Sequence, residues 1–147
     1  MTSNISSARE SQMEKDNECV FCRYKDQSVI VYEDDLCYSV ISISPINCCH
    51  LLVIPSRHFV NFVDLPDEVA ARIFLVARQL SQAMRAVCQP DAVTHISDDD
   101  LEGKGFSLMT HDKFHVIPRF LNDRVKIDWG REDDGGPQVR VKTIKDY

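Results

Sequence analysis

Two stretches of the chain carry residues whose types and spacing suit chemistry. One is Thr110-His111-Asp112-Lys113-Phe114-His115-Val116-Ile117-Pro118-Arg119. As a strand of period two it places His111, Lys113, His115 and Ile117 on one face, with Asp112, Phe114 and Val116 on the other. Three nitrogen-bearing side chains in a row are not a core pattern, because buried polar groups need partners. The other stretch is Cys19-x-x-Cys22, which reads as a metal or redox pair. No Trp-Cys-Gly-Pro-like context surrounds it, so metal is the better assignment.

Further histidines lie in Cys49-His50-Leu51-Leu52-Val53-Ile54-Pro55-Ser56-Arg57-His58. Six cysteines do not imply a disulfide scaffold here, since 147 residues are enough to bury a core without stapling. Cys37 and Cys88 sit in apolar runs where small buried thiols are common, and vicinal Cys48-Cys49 suits packing better than chelation. The thiols are expected to be reduced. His95 reads as a partly exposed strand residue, and Arg119 fits either a phosphate neighbour or a strand-end charge.

The elements that must position these groups follow from periodicity. Residues 1–17 are polar and aperiodic and read as a disordered leader. Val29–Tyr32 and Leu36–Ile43 form a predicted hairpin around Asp34-Asp35. His50–Ile54 is a buried strand stopped by Pro55. Asp64-Leu-Pro-Asp-Glu starts the one long helix with a capping Asp, an early Pro and acids in the first turn. Val69, Ile73, Val76, Leu80, Met84 and Val87 make its apolar stripe, and Pro90 ends it. Val93–Ile96 is a further strand, then Ser97-Asp-Asp-Asp reads as a solvated acidic loop. Leu108–Ile117 is a strand or strand pair closed by Pro118.

The length suits one domain. Lys+Arg 17 against Asp+Glu 23 gives a net charge of −6, which disfavours non-specific binding to nucleic-acid phosphate or anionic lipid. No apolar run approaches a membrane span, and the N-terminal residues lack the apolar core of a signal peptide. A cytoplasmic protein is expected.

Taken in order, Cys19-Val-Phe-Cys22, Val31-Tyr-Glu-Asp-Asp35, Ile43-Ser-Pro45, His50-Leu-Leu-Val-Ile-Pro-x-x-His58, the helix from Leu65 and His115-Val-Ile-Pro-Arg119 resemble the histidine triad (HIT) family. The resemblance implies an α+β fold, an antiparallel sheet of about five strands with the long helix packed on it. It runs from about Cys19 to Arg119 and implies a domain over residues 18–121, leaving 122–147 as an extension packed on the domain or on a second subunit. It further implies homodimers that bind purine nucleotides and cleave at the α-phosphate through a nucleophilic middle histidine. Cys-x-x-Cys members resemble one another in holding zinc with two further histidines; the matching positions are Cys19, Cys22, His58 and His111.

Four positions depart from the family pattern. Lys113 occupies the nucleophile position between His111 and His115. Ser42 stands where a ribose-binding aspartate is usual, Phe106-Ser107-Leu108 replaces a Gly-Gln-Ser-like stretch, and Ser97-Asp-Asp-Asp replaces an Asn-Gly-like loop. The candidate catalytic residues are Lys113, His115 and His50; the candidate ligand-binding residues are Ser42, Ser107, Lys113 and His115. Three functions follow: a zinc-containing binder of a nucleotide or phosphorylated small molecule, an active hydrolase or transferase using Lys113 or a neighbouring histidine, and a non-catalytic partner-binding module. Lysine attacks phosphorus only as the neutral amine. At a reference pKa near 10.4 that state requires roughly 4 kcal/mol of perturbation at pH 7, whereas an ammonium clamp requires none.

Overall fold

A computed structural model describes residues 19–23, 27–97, 99 and 111–126 of the chain. The leader, Ser107 and the extension beyond residue 126 lie outside the described residues. A one-turn helix α1 (Val20–Arg23) precedes strands β1 (Ile30–Glu33), β2 (Cys37–Ile41) and β3 (Leu51–Pro55). A short 3-10 turn (Phe62–Asp64) leads into helix α2 (Asp67–Cys88), followed by β4 (Ala92–Ile96) and β5 (Phe114–Arg119). The strands form one sheet in the order β1-β2-β3-β5-β4, every pair antiparallel. The expected α+β architecture is present.

Alternation along the strands sorts the two faces of the sheet. Cys37, Val53, Phe114 and Val116 pack against Val69, Ile73, Val76, Ala77 and Met84 of α2. Tyr38, Leu52 and Ile54 form a second cluster on the opposite face, with Phe21 and Val40 against it. Directly paired residues share a face. Leu52 pairs with His115, so His115 points away from α2, and His50, two residues before Leu52, points the same way.

Several boundaries differ from expectation, each for a physical reason. Pro66, not Asp64, caps α2, without a side-chain bond. The Pro66 carbonyl instead receives the amides of Val69 and Ala70, while Asp64 belongs to the preceding 3-10 turn. Val87 leaves the apolar stripe and is 79% exposed, and Ala77 takes a buried place in it. Gln89 adopts a left-handed conformation after Cys88, the usual way for a helix to end. Pro55 closes β3 from inside the strand, and Pro118 lies within β5. The Pro118 carbonyl accepts from Asn47 Nδ2 at 2.9 Å. The missing N–H would point to that side as well, so no β4 ladder bond is lost.

Asp34 organises the first hairpin. One carboxylate oxygen accepts the amides of Leu36 and Cys37, both at 2.8 Å; the other accepts Tyr32 Oη at 2.6 Å and Arg72 Nε at 2.5 Å. Burial opposes its ionisation, but these donors outweigh it and hold the carboxyl well below its ordinary range. A depressed carboxylate stabilises the fold above its unfolded pKa near 3.8 and loses that contribution as pH falls below it. Asp34→Ala is therefore expected to lower the unfolding free energy by about 2 kcal/mol at pH 7. The deficit should shrink toward pH 3 in denaturant titrations; a deficit constant across that range would contradict the assignment.

Candidate functional site

Four separated segments deliver one sulfur-nitrogen cluster. α1 turns on bonds from the amides of Cys22 and Arg23 to the Cys19 carbonyl, which brings Cys19 and Cys22 to one side. Tyr38 Oη donates to the Phe21 carbonyl at 2.8 Å and fastens this turn to the sheet. His58 arrives after β3, and its neighbour Phe59 accepts the Asp112 amide at 2.6 Å, which draws His111 alongside. Cys19 Sγ lies 3.3 Å from His111 Nδ1, and Cys22 Sγ lies 3.5 Å from both His58 Nδ1 and His111 Nδ1. One donor atom from each of the four residues falls within 4.8 Å of the others. His111 Nε2 is 3.1 Å from the Pro55 carbonyl and so carries the ring proton, leaving Nδ1 with its lone pair toward the sulfurs.

The second group is a histidine pair. The Ile46 amide donates to His50 Nδ1 at 3.2 Å, and His50 Nε2 lies 2.9 Å from His115 Nδ1. The hydrogen-bond network assigns the tautomers: His50 protonated at Nε2, His115 accepting at Nδ1 and therefore protonated at Nε2. Burial lowers the His50 pKa and favours this neutral state. A histidine whose folded pKa lies below its unfolded value of 6.5 stabilises the fold above that value and loses the contribution as pH falls through both. Denaturant unfolding from pH 7.5 to 5 should accordingly weaken more steeply in wild type than in His50→Asn. An NMR titration placing the His50 imidazole at or above 6.5 would contradict this.

Strand β5 begins at Phe114, so of the expected stripe His111, Lys113, His115 and Ile117 only the last two are strand residues. β3 pairs with β5 no further than Val53↔Phe114. Beyond that register His111 and Asp112 are taken up by Pro55 and Phe59. The result is two neighbouring groups: His111 in the sulfur cluster and His115 with His50. Lys113, partly buried, lies between them in sequence. Ser42 borders the pair, its amide donating to the His50 carbonyl at 2.9 Å.

Asp112 was not singled out by sequence. It is 4% exposed, and its Oδ2 has no hydrogen-bond partner among the described residues. Burial and the charge of Asp99 push its pKa up to about 6, against the opposing pull of Lys113. The signal available was its place between two histidine-bearing positions and an apolar strand. Asp99 corrects the solvated-loop expectation: its carboxylate receives the amides of Phe62 and Val63 at 2.8 and 3.3 Å. Arg119 is committed to Asp123, Thr94 and the Val125 carbonyl, which assigns it to fastening residues 120–125 onto β5. His95 is exposed on β4, with Nε2 3.0 Å from Ser81 Oγ and its ring stacked on Phe114.

The cysteines also differ from expectation. Cys49 and Cys88 are joined as a disulfide, because the end of α2 returns to the loop before β3, which sequence spacing does not reveal. Cys37 remains a buried thiol, pushed by burial up to about 12 and so inert at neutral pH.

A model of the HIT domain matches residues 23–122. The chain belongs to the HIT family. A HIT-like protein of Borreliella burgdorferi is 33% identical over 110 residues, covering 72% of this chain and 78% of its own length. The crystal structure of a HIT family protein from Bacillus anthracis superposes with a TM-score of 0.76 at 27% identity, covering 88% of this chain and 94% of that one. A zinc-bound histidine triad family protein from Mycobacterium smegmatis superposes with a TM-score of 0.66 at 26% identity, covering 80% and 86%. The sheet and helix are thus the HIT fold, and the Cys19–Cys22 pair is consistent with a Cys-x-x-Cys motif.

Proposed function

We propose that this HIT protein is a zinc-containing binder of a nucleotide or phosphorylated small molecule, with Lys113 as an ammonium clamp where the family's nucleophile stands. The observation that carries the reading is the 2.9 Å contact between His50 and His115, whose tautomers give His115 an Nε2–H donor. A phosphate oxygen accepts from an imidazole N–H and an ammonium without any bond being broken. Ser42 and Ser107 are assigned to the same ligand. With an ammonium in the nucleophile's place, binding without turnover is the favoured outcome. Incubation with labelled nucleotide separates this from catalysis through Lys113, His115 or His50: label retained on the protein through alkaline denaturation and released by acid, as a phosphoramidate is, would establish the enzyme and overturn the binder.

The donor set fits zinc. Bonds of about 2.3 Å to sulfur and 2.0–2.1 Å to nitrogen make the sulfur–nitrogen edge of a tetrahedron about 3.6 Å. The observed separations of 3.3–3.5 Å are close to that edge. Cys19, Cys22, His58 and His111 would hold the ion, with the Pro55 carbonyl orienting His111. Four protein ligands make a structural site, so zinc supplies rigidity between α1, the segment after β3 and the approach to β5. The zinc-bound relative from Mycobacterium smegmatis supports this assignment.

We assign residues 18–121 to the binding domain, 1–17 to a leader and 122–147 to an extension, with a cytoplasmic location and a homodimeric state. β4 lies at the sheet edge, where a second copy has backbone to pair with. Among the described residues no helix is long and apolar enough to cross a membrane.

A further inference from the structure

Three cysteines outside the sulfur-nitrogen cluster converge beside His50. The Cys49–Cys88 disulfide ties the last residue of α2 to the residue immediately before His50. Cys48 is an exposed free thiol, and its Sγ lies 3.7 Å from Cys49 Sγ. Cys49 has φ 66, one of two non-glycine residues in the left-handed region among those described. A side chain with a Cβ holds that conformation only where its surroundings impose it, and the bridge to Cys88 is a covalent restraint at that point. His50 follows directly, with Nδ1 held by the Ile46 amide and Nε2 by His115. A change at Cys49 therefore acts on backbone that positions the histidine pair.

We propose that Cys48, Cys49 and Cys88 form a thiol–disulfide exchange site, open to small thiols, whose state sets the placement of His50. In the internal step the Cys48 thiolate attacks Cys49 Sγ. A Cys48–Cys49 bond forms as the Cys49–Cys88 bond breaks, and Cys88 leaves with the electron pair. The proton lost by Cys48 is matched by the one Cys88 takes up, so no oxidant or reductant is consumed. A small dithiol then reduces the Cys48–Cys49 bond at the surface, giving two thiols and the cyclic disulfide of the reagent. Sulfur–sulfur contact supplies the proximity this exchange needs, and the exposure of Cys48 supplies the entry point. Releasing Cys88 removes the covalent restraint on Cys49 and frees the turn that delivers His50. The exchange itself does not depend on the nucleotide-binding proposal; only its effect on ligand affinity does.

The test uses the full chain with its metal in place. Peptide mapping after N-ethylmaleimide blocking should recover Cys49 linked to Cys88 from protein oxidised with a small disulfide. Recovery of both as alkylated thiols under that oxidant would overturn the site. Reduction by dithiothreitol, followed by intact mass, should slow tenfold or more in Cys48→Ser and equally in Cys48→Ala. Rates within twofold of wild type in both variants would overturn the relay. The His50 imidazole signal in NMR should shift on reduction of wild type and stay fixed in the Cys48→Ser/Cys88→Ser double variant under the same treatment. An unchanged wild-type signal would overturn the link to His50, whether or not any nucleotide binds.

Discussion

Cys19→Ser is expected to release bound zinc and to lower the unfolding free energy by at least about 3 kcal/mol. That is a modest share of the roughly 10–16 kcal/mol that zinc binding supplies in small metal-folded domains. The share is smaller here because the core between the sheet and α2 is built without the metal. What the metal joins is α1, His58 and His111, segments also held by bonds such as Tyr38 Oη to the Phe21 carbonyl and the Asp112 amide to the Phe59 carbonyl. Freshly purified protein should contain about one zinc per chain. Chelation should reproduce the loss of stability seen in the variant. Acidification should release the ion as well, since thiolate and imidazole ligands take up protons in competition with it. Protein free of zinc when purified, and equally stable with and without a chelator, would remove the site.

Lys113→Ala is expected to weaken binding of AMP by about 10- to 100-fold, the equivalent of losing one hydrogen bond to a charged group. The effect should diminish at high salt. Lys113→His restores the histidine spacing of the family, yet only feeble phosphoramidase activity is expected from it. Ser42, Ser107 and Leu108 still differ from the residues that hold ribose and phosphate elsewhere in the family, and loose positioning forfeits much of the rate. Equal affinity of wild type and Lys113→Ala for every phosphate that binds would eliminate the clamp. Vigorous turnover by Lys113→His would show that the neighbouring substitutions matter little.

The sheet and its helix were legible in the sequence because each leaves a local pattern. Short β-rich apolar runs mark β2 and β3, and a stripe at spacings of three and four marks α2 from Val69 to Met84. The residues of the cluster were legible through their segments, since Cys19-x-x-Cys22, the His58 segment and the run from His111 each carry a local pattern. What escaped depends on how distant segments meet. Cys49 and Cys88 carry no mutual signal, since their sulfurs come together only when α2 runs back along the sheet. Asp99 looks solvated among its acidic neighbours, and its role arises from two amides in the turn at Phe62 and Val63. Asp112 was placed on the face opposite His111, but the strand starts too late for that alternation to apply, and both residues are buried. Arg119 could be read two ways until Asp123 was seen to take both Nε and Nη2 of its guanidinium.

The central proposal is that His50, Lys113 and His115 form a phosphate-anchored ligand site. Calorimetric titration of the wild-type protein with AMP and with adenosine at pH 7 tests it most directly. The phosphate is the group that meets the Lys113 ammonium and the His115 Nε2–H, so AMP should bind at least about tenfold more tightly than adenosine. Equal affinity for the two, or no binding of AMP by zinc-loaded protein, would contradict it.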